Sequence, residues 1–408
     1  MNILFLTNVL PFRRRHGGEV CSSRLLARLC DISDRVLVVG RGDSAGAPTM
    51  PQLVVRSLAP PATEFAKMSA VQKLLSLAAA VASGEAWTVN RMSSGVMQAL
   101  HRAVGDEAFD CVFVDHLQIY KWYRALGLTA PAVLVAHNVE HQIYGDLRQR
   151  SNNIAARWVL QREQHLLYRL DEAVLRDIGT IACLTEVDKA YYVGLARQIG
   201  VSATVEVLPS YFDGGLGAAP PSRVADPRSV GPRRIGILGN WTWESNRLGV
   251  EWFLREVLPH IDGECEVVIA GRGLEAGQLP ARVRYLGFVE SAERFYRSSD
   301  VIAIPSTAGG GIQEKTIEAI GYGVPVVATA VAVRGIQPCP SHVQVVSTPR
   351  EFGAACCRRQ GFDAVQAQTE AFAWNVERRL KYANAIDKLL AAATHRTGAR
   401  YSPRPKVD

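Results

Sequence analysis

The sequence predicts an α/β protein built from two parallel-sheet domains, and three observations support that class. Short apolar runs rich in Val, Ile and Leu recur along the 408 residues without strict alternation, as in parallel strands covered on both faces. Helical patterns separate many of these runs, and strands that alternate with helices indicate a parallel sheet. The alternation stops once, at residues 214–233, which are rich in Gly, Pro, Ser and Arg. We interpret that segment as an interdomain linker.

Each domain is predicted to carry its own set of strands. In the first domain they cover residues 3–7, 35–39, 111–114, 132–136, 180–184 and 205–208, with helices at 20–30, 71–82, 96–104 and 154–176. In the second domain they cover 234–238, 266–270, 283–286, 301–304, 324–328 and 343–346, with helices at 248–257, 292–298, 313–321 and 364–393. The expected domains are residues 1–213 and 234–370, followed by a C-terminal crossover helix at 371–393 and a flexible tail at 394–408. Ligands of such sheets bind beyond the carboxyl ends of the strands, so two facing sheets would form a cleft.

Composition excludes several classes of protein. Hydrophobic residues make up 48% and charged residues 21% of the chain, as in ordinary globular proteins, and no segment has the ~18 continuous apolar residues of a membrane span. The N-terminus is interpreted as a strand rather than a signal peptide. The eight cysteines are scattered without metal-ligand spacing, so we expect reduced structural thiols, no metal and a cytoplasmic protein. A net charge of +7 favours anionic partners, but no nucleic-acid-binding module is recognisable.

The most informative segment covers residues 302–329 and reads IAIPSTAGGGIQEKTIEAIGYGVPVVAT. A buried strand precedes three glycines, and a helix follows them. Glycine lets the backbone approach a ligand closely, and a helix N-terminus offers unpaired N–H groups and a positive dipole end. Lys315 and Glu318 share one face of this helix, so that the lysine faces an anion and the carboxylate accepts hydrogen bonds from ribose hydroxyls. The segment predicts a diphosphate site rather than a flexible surface loop.

Two other phosphate-binding motifs are not present. The residues before Lys315 do not form a P-loop, because Glu314 stands where that motif has glycine. The Gly271-Arg272-Gly273 turn follows a strand, but the next glycine, Gly277, comes one position too late for G-x-G-x-x-G. The sequence therefore disfavours an NAD-dependent dehydrogenase.

At these residues the chain resembles the retaining GT-B glycosyltransferases of the GT4 family, the glycosyl transferases group 1. The family's strand ending in Pro-Ser, glycine-rich loop and E-A-x-x-x-G-x-P-V-V motif are present at residues 305–306, 309–311 and 318–327. The resemblance covers nearly the whole chain and implies the GT-B fold, with two facing Rossmann-like domains and a C-terminal helix that crosses back to the first. It also implies a hexosyltransferase that uses a UDP-, GDP- or ADP-linked sugar and a saccharide or lipid-linked saccharide acceptor, in polysaccharide or glycoconjugate synthesis.

The resemblance further assigns donor-binding residues to the ends of predicted strands. In the second domain these are Asn240, Gly271, Arg272, the base-pocket residues Phe288 and Val289, and the loop and helix residues Gly309, Gly310, Gly311, Ile312 and Glu318. In the first domain they are Gly17 and Gly18, which match a glycine loop after the first strand, and the strand-end residues His116 and His137.

The sequence departs from the family pattern at two places. The family's E-x7-E pair needs a carboxylate where this chain has Gly310, so we expect backbone amides of residues 310–312 to replace that contact. Many relatives place a basic residue shortly after the Gly239-Asn240-Trp241 turn, and the nearest cation here is Arg247. We expect Arg247 and Lys315 to share the clamping of the diphosphate.

The expected catalytic residues are His116, Glu318, Lys315 and Arg247. Glycosyl transfer requires stabilisation of a departing nucleotide diphosphate, and the chain has no Asp-x-Asp motif to hold Mg²⁺ for that purpose. Preorganised N–H groups and cations would stabilise the charge instead, so we expect a metal-independent enzyme without a cofactor. His116 follows a buried strand, and we expect it to contact the sugar near the anomeric carbon.

Alternative interpretations stay open. A nucleotide-sugar epimerase or an inverting transferase of the same fold would have similar donor contacts, and the missing carboxylate at Gly310 fits a non-catalytic partner subunit. In the first domain one face of a predicted helix is apolar and carries Phe65, Met68, Val71, Leu74, Leu75 and Ala78. Core packing is the preferred explanation of this face, and docking to a membrane is the alternative. With the basic run at 13–15, this face motivates a peripheral contact at the inner side of a membrane.

Overall fold

The computed structural model describes residues 1–14, 17–58, 68–214, 232–275, 277, 279–309, 311–358 and 363–396. Contacts divide the chain into two units, the first formed by residues 1–208 with the chain from Tyr382 onward, and the second by Pro209–Lys381. Most of the expected linker at 214–233 and of the expected tail at 394–408 lies outside the described residues.

The first unit contains a parallel sheet of seven strands. The strands are β1 (Asn2–Val9), β2 (Arg35–Arg41), β3 (Leu53–Ser57), β4 (Cys111–Asp115), β5 (Ala132–Ala136), β6 (Thr180–Cys183) and β7 (Thr204–Val207), in the order β3-β2-β1-β4-β5-β6-β7. All of them except β3 are predicted by the sequence within a few residues. Strand β3 lies at one edge of the sheet and is only half-buried, and its short run of Leu53, Val54 and Val55 is not predicted as a strand.

Helices connect these strands. They are α1 (Gly17–Ile32), α2 (Ala70–Ala82), α3 (Trp87–Ser93), α4 (Met97–Val104), α5 (Tyr120–Leu126), α6 (Glu140–Arg150), α7 (Ile154–Asp177) and α8 (Glu186–Gln198), with a 3₁₀ turn at Leu117–Ile119. The sequence predicts α1, α2, α4 and α7 but misses the others. A signal for α8 was available, because Thr185 is an N-cap residue whose hydroxyl accepts a hydrogen bond from the Asp188 N–H.

The second unit contains six parallel strands, and all six are predicted. They are β8 (Arg233–Leu238), β9 (Cys265–Ala270), β10 (Val283–Tyr285), β11 (Val301–Ile304), β12 (Val326–Ala328) and β13 (Val343–Val345), in the order β10-β9-β8-β11-β12-β13. The helices are α9 (Glu244–Trp252), α10 (Ala292–Arg297), α11 (Glu314–Gly321), α12 (Pro349–Cys357) and α13 (Ala364–Arg396). Helix α9 begins earlier than predicted and continues into a π-helical turn at Phe253–Val257, and α12 is missed by the sequence prediction.

Both sheets have the strand order of a doubly wound, Rossmann-like fold. The order reverses between β1 and β4 in the first sheet and between β8 and β11 in the second. Ligands of such sheets bind beyond the carboxyl ends of the strands at these switch points. We therefore expect ligand-binding residues in the loops after β1 and β4 in the first sheet and after β8 and β11 in the second.

The last helix contributes to both units, as expected for a crossover helix. Up to Lys381, α13 belongs to the second unit, where the Asn375 side chain accepts a hydrogen bond from Phe212 N–H at 2.7 Å. From Tyr382 the helix belongs to the first unit, where Asp387 lies 4.0 Å from the Arg28 guanidinium and Ile386 is fully buried.

Helix α2 contradicts the core-packing interpretation of its apolar face. Val71, Leu74 and Leu75 are about two-thirds exposed, at 66%, 67% and 65%, and Ala80 is the buried residue of the helix. Met68 is half-buried, Ala78 is exposed, and Phe65 lies outside the described residues. None of the helices in the described part of the chain has the length and apolar composition that crossing a membrane would need.

Candidate functional site

Polar side chains meet at the switch point of the first sheet. Thr7 and Asp115 are paired at the ends of β1 and β4. The Asp115 carboxylate is fully buried and accepts hydrogen bonds from Thr7 Oγ1 at 2.8 Å, Ser22 Oγ at 2.7 Å and His137 Nε2 at 2.7 Å. We call Thr7, Ser22, Asp115, His116 and His137 the Asp115 cluster.

The charge of Asp115 organises this cluster. Burial alone would raise the pKa of Asp115, but His116, His137 and the hydrogen bonds from His137 and Ser22 outweigh it and lower the pKa to about 2. The carboxylate is therefore ionised at neutral pH and fixes His137 with its proton on Nε2. Neither the role of Asp115 nor that of Ser22 was assigned from the sequence, although Asp115 directly precedes His116 at the strand end.

His116 is the more accessible histidine of the cluster. Its ring stacks on His137 with 3.8 Å between centroids, and its side chain is 27% exposed, against 4% for His137. Its backbone has φ of 85°, a region that residues other than glycine rarely adopt and that costs roughly 1–3 kcal/mol. The N–H of His116 donates to the Val135 carbonyl at 3.0 Å, which helps to hold this conformation. Strained backbone of this kind is common at functional sites.

Gly17 and Gly18 do not form a loop as expected. They are the first two residues of α1, which begins earlier than the sequence predicted. Their place nevertheless relates to the cluster, because Ser22 Oγ contacts both the Gly18 carbonyl at 3.0 Å and Asp115. The second turn of α1, which carries Ser22, thus lies next to the carboxylate at the end of β4.

A second buried network lies between α6, α7 and α8. Asp171 accepts hydrogen bonds from Tyr191 and Tyr192 hydroxyls, both at 3.0 Å, and its carboxylate lies 3.2 Å from His141 Nδ1. Burial raises the pKa of Asp171, and it also raises that of Glu140 at the start of α6. We interpret the network as an anchor for the helices that follow the strand-end loop of His137. Its members are far apart in sequence, so no motif announces it.

The switch point of the second sheet is bridged by three polar residues. Lys315 on α11 donates from Nζ to Asn246 Oδ1 on α9 at 3.0 Å, and Asn246 Nδ2 donates to the Asn240 carbonyl at 2.9 Å. Helices α9 and α11 follow β8 and β11, the two strands at which the order reverses. Burial lowers the pKa of Lys315 to about 8. Lys315 is therefore not an ordinary surface lysine.

Glu318 lies one turn further along α11, and its carboxylate is oriented by a tyrosine. The Tyr296 hydroxyl donates to Glu318 Oε2 at 3.1 Å and lies 3.3 Å from the Lys315 carbonyl. Tyr296 is fully buried and Glu318 is half-buried, so the tyrosine supports the carboxylate from the interior. We call Asn240, Asn246, Tyr296, Lys315 and Glu318 the Lys315 cluster.

Arg247 has a different environment from the one expected. Its guanidinium pairs with Glu251 at 3.1 Å along α9, and the two side chains are 50% and 46% exposed. The partner of Lys315 on α9 is Asn246, the residue before Arg247. Asn246 was not assigned to the site from the sequence, and the shared clamping of a diphosphate by Arg247 and Lys315 stays a prediction.

Glycines allow the strand-end loops of β8, β9 and β10 to interlock. Gly271 has φ of 122°, donates to the Gly287 carbonyl at 2.7 Å, and a Cβ there would lie 1.6 Å from the Gly239 carbonyl oxygen. Beside this turn the Arg272 guanidinium lies 4.1 Å above the centre of the Phe288 ring. Phe288 is 59% exposed, and the next residue, Val289, is half-buried. The loops thus present a cation and an aromatic face next to exposed backbone.

The triple-glycine segment is described in part. Gly309 and Gly311 have φ of 124° and 67°, whereas Gly310 lies outside the described residues. Ile312 is half-buried, and α11 begins at Glu314 rather than directly after the glycines. Glu314 is buried and accepts a hydrogen bond from Ser210 Oγ at 2.5 Å. The start of the helix is therefore tied to the segment that enters the second unit, a contact that the sequence did not predict.

Comparison with known proteins supports these observations. Residues 232–381 match the family model of glycosyl transferases group 1. No curated protein sequence matches the chain. Among solved structures, HepE from Anabaena in complex with UDP matches with a TM-score of 0.61 and 16% identity over 96% of this chain and 100% of that chain.

Two further solved structures match along almost their whole length. The E. coli trehalose-6-phosphate protein bound with UDP-2-fluoro glucose has a TM-score of 0.59 and 12% identity, covering 99% of this chain and 100% of that one. WaaG, a glycosyltransferase involved in lipopolysaccharide biosynthesis, has a TM-score of 0.56 and 13% identity, covering 96% and 99%. At such identities these matches show the GT-B fold alone, and the family model covers residues 232–381. Taken with the two doubly wound sheets, the comparisons show a GT-B fold whose second unit is similar to glycosyl transferases group 1.

Proposed function

We propose that this glycosyltransferase moves a hexose from a nucleotide diphosphate sugar to a saccharide or lipid-linked saccharide, with retention of configuration and without a metal ion. The observation that carries the proposal is the Lys315 cluster. It places a half-buried cation, Lys315, at the switch point of a Rossmann-like sheet, among glycine-rich loops. HepE in its complex with UDP supports a UDP-linked sugar as the first donor to test.

The diphosphate is proposed to bind beside Lys315. The lysine donates to a neutral amide oxygen, Asn246 Oδ1, and burial makes its charged form costly, so an anion would stabilise that form. Gly309 is exposed and would let a phosphate approach the backbone, and N–H groups at the start of α11 would add to the attraction. Arg247 is half-exposed and would reach a phosphate only by leaving Glu251.

The nucleoside is proposed to contact the loops after β9 and β10. The Arg272 guanidinium and the exposed Phe288 ring offer a flat, cationic surface to a base, and Glu318 offers a carboxylate to ribose hydroxyls. In the first unit, His116 is proposed to contact the transferred sugar, since its ring is the more exposed of the two stacked histidines. His137 and Asp115 would hold that ring in place.

Metal independence rests on how the carboxylates are used. The Asp115, His116 and His137 side chains bring ligand atoms within 4.8 Å of one another, so they are a possible metal-binding group by distance. Asp115, however, already accepts hydrogen bonds from two hydroxyls and one imidazole. Since the chain also has no Asp-x-Asp motif, we propose that cations and amides of the protein stabilise the leaving diphosphate.

A donor screen tests this function. The purified chain is heated with UDP, GDP, ADP and their glucose conjugates, and the nucleotide that binds is expected to raise the melting temperature, because a ligand of the native state stabilises it. Turnover is then measured with that donor and a panel of saccharide and lipid-linked acceptors, with and without EDTA. Activity that EDTA abolishes contradicts metal independence, and an α-linked donor that yields a β-linked product by NMR contradicts retention.

The same assays separate the alternatives. An epimerase would change the nucleotide sugar without any acceptor. A partner subunit would bind nucleotide or another protein but give no product with any acceptor in the panel. Either result overturns the proposed transfer reaction while leaving the fold and the family unchanged.

We also propose a peripheral membrane contact through α2. Its exposed Val71, Leu74 and Leu75 lie on a helix whose single charged residue is Lys73, and Trp158 on α7 is 60% exposed. Sedimentation with vesicles that contain anionic phospholipid tests the contact. The double variant Leu74→Glu, Leu75→Glu is expected to lose binding, whereas Val365→Glu, at an equally exposed residue of α13, is not. Equal binding of both variants would contradict the proposal.

A further inference from the structure

A cluster of two thiols and one carboxylate lies at the amino end of β9. The loops after β9 and β10, which are proposed to bind the donor and are called the donor loops below, lie at the other end of the strands. Cys265 is the first residue of β9, Cys357 is the last residue of α12, and Asp262 lies in the turn before β9. The two Sγ atoms and a carboxylate oxygen of Asp262 all lie within 4.8 Å of one another. The donor loops follow the carboxyl end of β9 at Gly271, so the proposed transfer reaction does not use these three side chains.

The local backbone holds Asp262 and Cys265 together. Asp262 accepts the Glu264 N–H on Oδ1 at 3.1 Å, and its carbonyl accepts the Cys265 N–H at 3.3 Å. This tight turn places the carboxylate beside the thiol three residues later. Cys265 is buried and Asp262 is exposed, so the cluster extends from the interior to the surface.

Rigid packing brings Cys357 to the same place. Helix α12 begins with a capping box between Thr348 and Glu351. One turn before Cys357, a Cβ on Gly353 would lie 2.8 Å from the His260 Cβ, so glycine permits close approach of α12 to the turn that contains His260. Phe352 is fully buried on the same helix. The position of Cys357 relative to Asp262 is therefore set by the core.

We propose that Asp262, Cys265 and Cys357 bind a thiophilic divalent cation, with Zn²⁺ as the ion that fits. Two sulfurs and one carboxylate oxygen are ligands that zinc accepts, and a water would complete a tetrahedron. Zn–S bonds of ~2.3 Å put two tetrahedral sulfurs ~3.8 Å apart, within the separation observed here. On binding, the two thiols lose their protons to solvent and both thiolates bond to the ion.

The role of this ion is structural. It would tie the start of β9 to the end of α12, since its ligands come from these two elements and the turn between α9 and β9. It lies at the opposite end of β9 from the turn that carries Arg272, so it takes no part in the proposed transfer.

Binding of Co²⁺ and Zn²⁺ to the full-length, reduced protein tests the proposal. One Co²⁺ per chain is expected, with thiolate charge-transfer absorption, and Zn²⁺ is expected to displace it. Cys357→Ala is expected to abolish the absorption, and Asp262→Asn to weaken Zn²⁺ binding by more than the roughly 10-fold cost of losing an outer hydrogen-bonding partner of a ligand. Cys339→Ala, a half-buried cysteine of the same unit, is the matched control and should bind as the parent does.

Three outcomes would overturn the site. The first is absence of Co²⁺ absorption in the parent protein, and the second is equal binding in the Cys357 and Cys339 variants. The third is a count of six thiols in the denatured, unreduced protein, which would point to a disulfide between Cys265 and Cys357. Because Cys357→Ala removes a half-buried side chain, circular dichroism of the metal-free variant separates loss of a ligand from unfolding.

Discussion

The Asp115 cluster and the Lys315 cluster occupy corresponding places in two sheets of the same strand order, yet they are built in opposite ways. In the first, a buried carboxylate accepts hydrogen bonds from two hydroxyls and one imidazole, and a second imidazole stacks on the first. In the second, a lysine donates to a neutral amide, glycines with positive φ precede its helix, and an arginine lies over an exposed ring.

The difference indicates where a charged ligand would gain most. The Asp115 carboxylate already accepts three hydrogen bonds, so it gains little from a ligand and instead holds the histidines of its cluster. The hydrogen bond that Lys315 donates goes to a neutral amide, so an anionic diphosphate would add a charged acceptor. In the proposed reaction the first unit would supply a positioned side chain, His116, and the second would supply affinity for the donor.

The largest effect is expected from Glu318→Ala, which should reduce transfer by about 100-fold or more without unfolding the protein. The variant would lose the proposed contact between the Glu318 carboxylate and the donor. The Tyr296 hydroxyl would still have a hydrogen-bond acceptor, the Lys315 carbonyl at 3.3 Å, so the fold should be kept. Turnover with the donor found in the screen and the unfolding midpoint are measured together. Glu293→Ala, an exposed carboxylate paired with Arg297, is the control. Near-normal turnover would remove Glu318 from the site.

A large loss of stability is expected from Asp115→Asn, which should lower the free energy of unfolding by about 3 kcal/mol or more, because histidines and hydroxyls lose a buried anion. Asp106→Asn, at an exposed position, should change it little. Since the folded pKa of Asp115 lies at about 2, below the usual 3.8, its contribution is complete above pH ~4 and is lost as the pH falls toward 2. Urea titrations from pH 7 to pH 3 measure the free energy of unfolding of the parent and of Asp115→Asn. Equal values for the two proteins at pH 7 would contradict the proposed role of the Asp115 carboxylate.

A smaller effect is expected from Lys315→Met, which should raise the KM for the donor by about 10- to 100-fold, the equivalent of one charge-assisted contact. In the parent enzyme the same KM should rise as the pH increases through about 8, because the lysine loses its proton and its attraction for phosphate. The KM of the variant should be flat over that range. Lys189→Met in the first unit is the control, and a rise with pH that persists in Lys315→Met would exclude the lysine.

The smallest effect is expected from Arg247→Gln. The pair with Glu251 is half-exposed, so its loss should change the free energy of unfolding by less than about 1 kcal/mol. If Arg247 clamps the diphosphate, the KM rises more in this variant than in Glu251→Gln, which breaks the same pair but keeps the cation. Equal KM values in both variants would leave Lys315 as the cation of the clamp.

Much of the fold could be predicted from the sequence because parallel strands that are buried on both faces appear as continuous runs of apolar residues. All six strands of the second unit and six of the seven in the first are found where Val, Ile and Leu concentrate. The helices α3 and α6 escaped because they are short or weakly periodic, and packing supplies their stability. Helix α12 escaped although its capping box, Thr348 and Glu351, is a local signal. Strand β3 escaped because its apolar run is only three residues long.

For the candidate site, local sequence determined the segments, and tertiary structure decided the partners. The glycine loop, Lys315 and Glu318 stand within one short stretch, so a pattern could announce them. The bond from Lys315 to Asn246, that from Tyr296 to Glu318 and the meeting of Ser22 with Asp115 join residues 69, 22 and 93 positions apart. The contact between Cys265 and Cys357 likewise joins residues that are far apart in the chain. Such contacts arise only when the strand order places their elements side by side, since no local rule relates residues so distant in the chain.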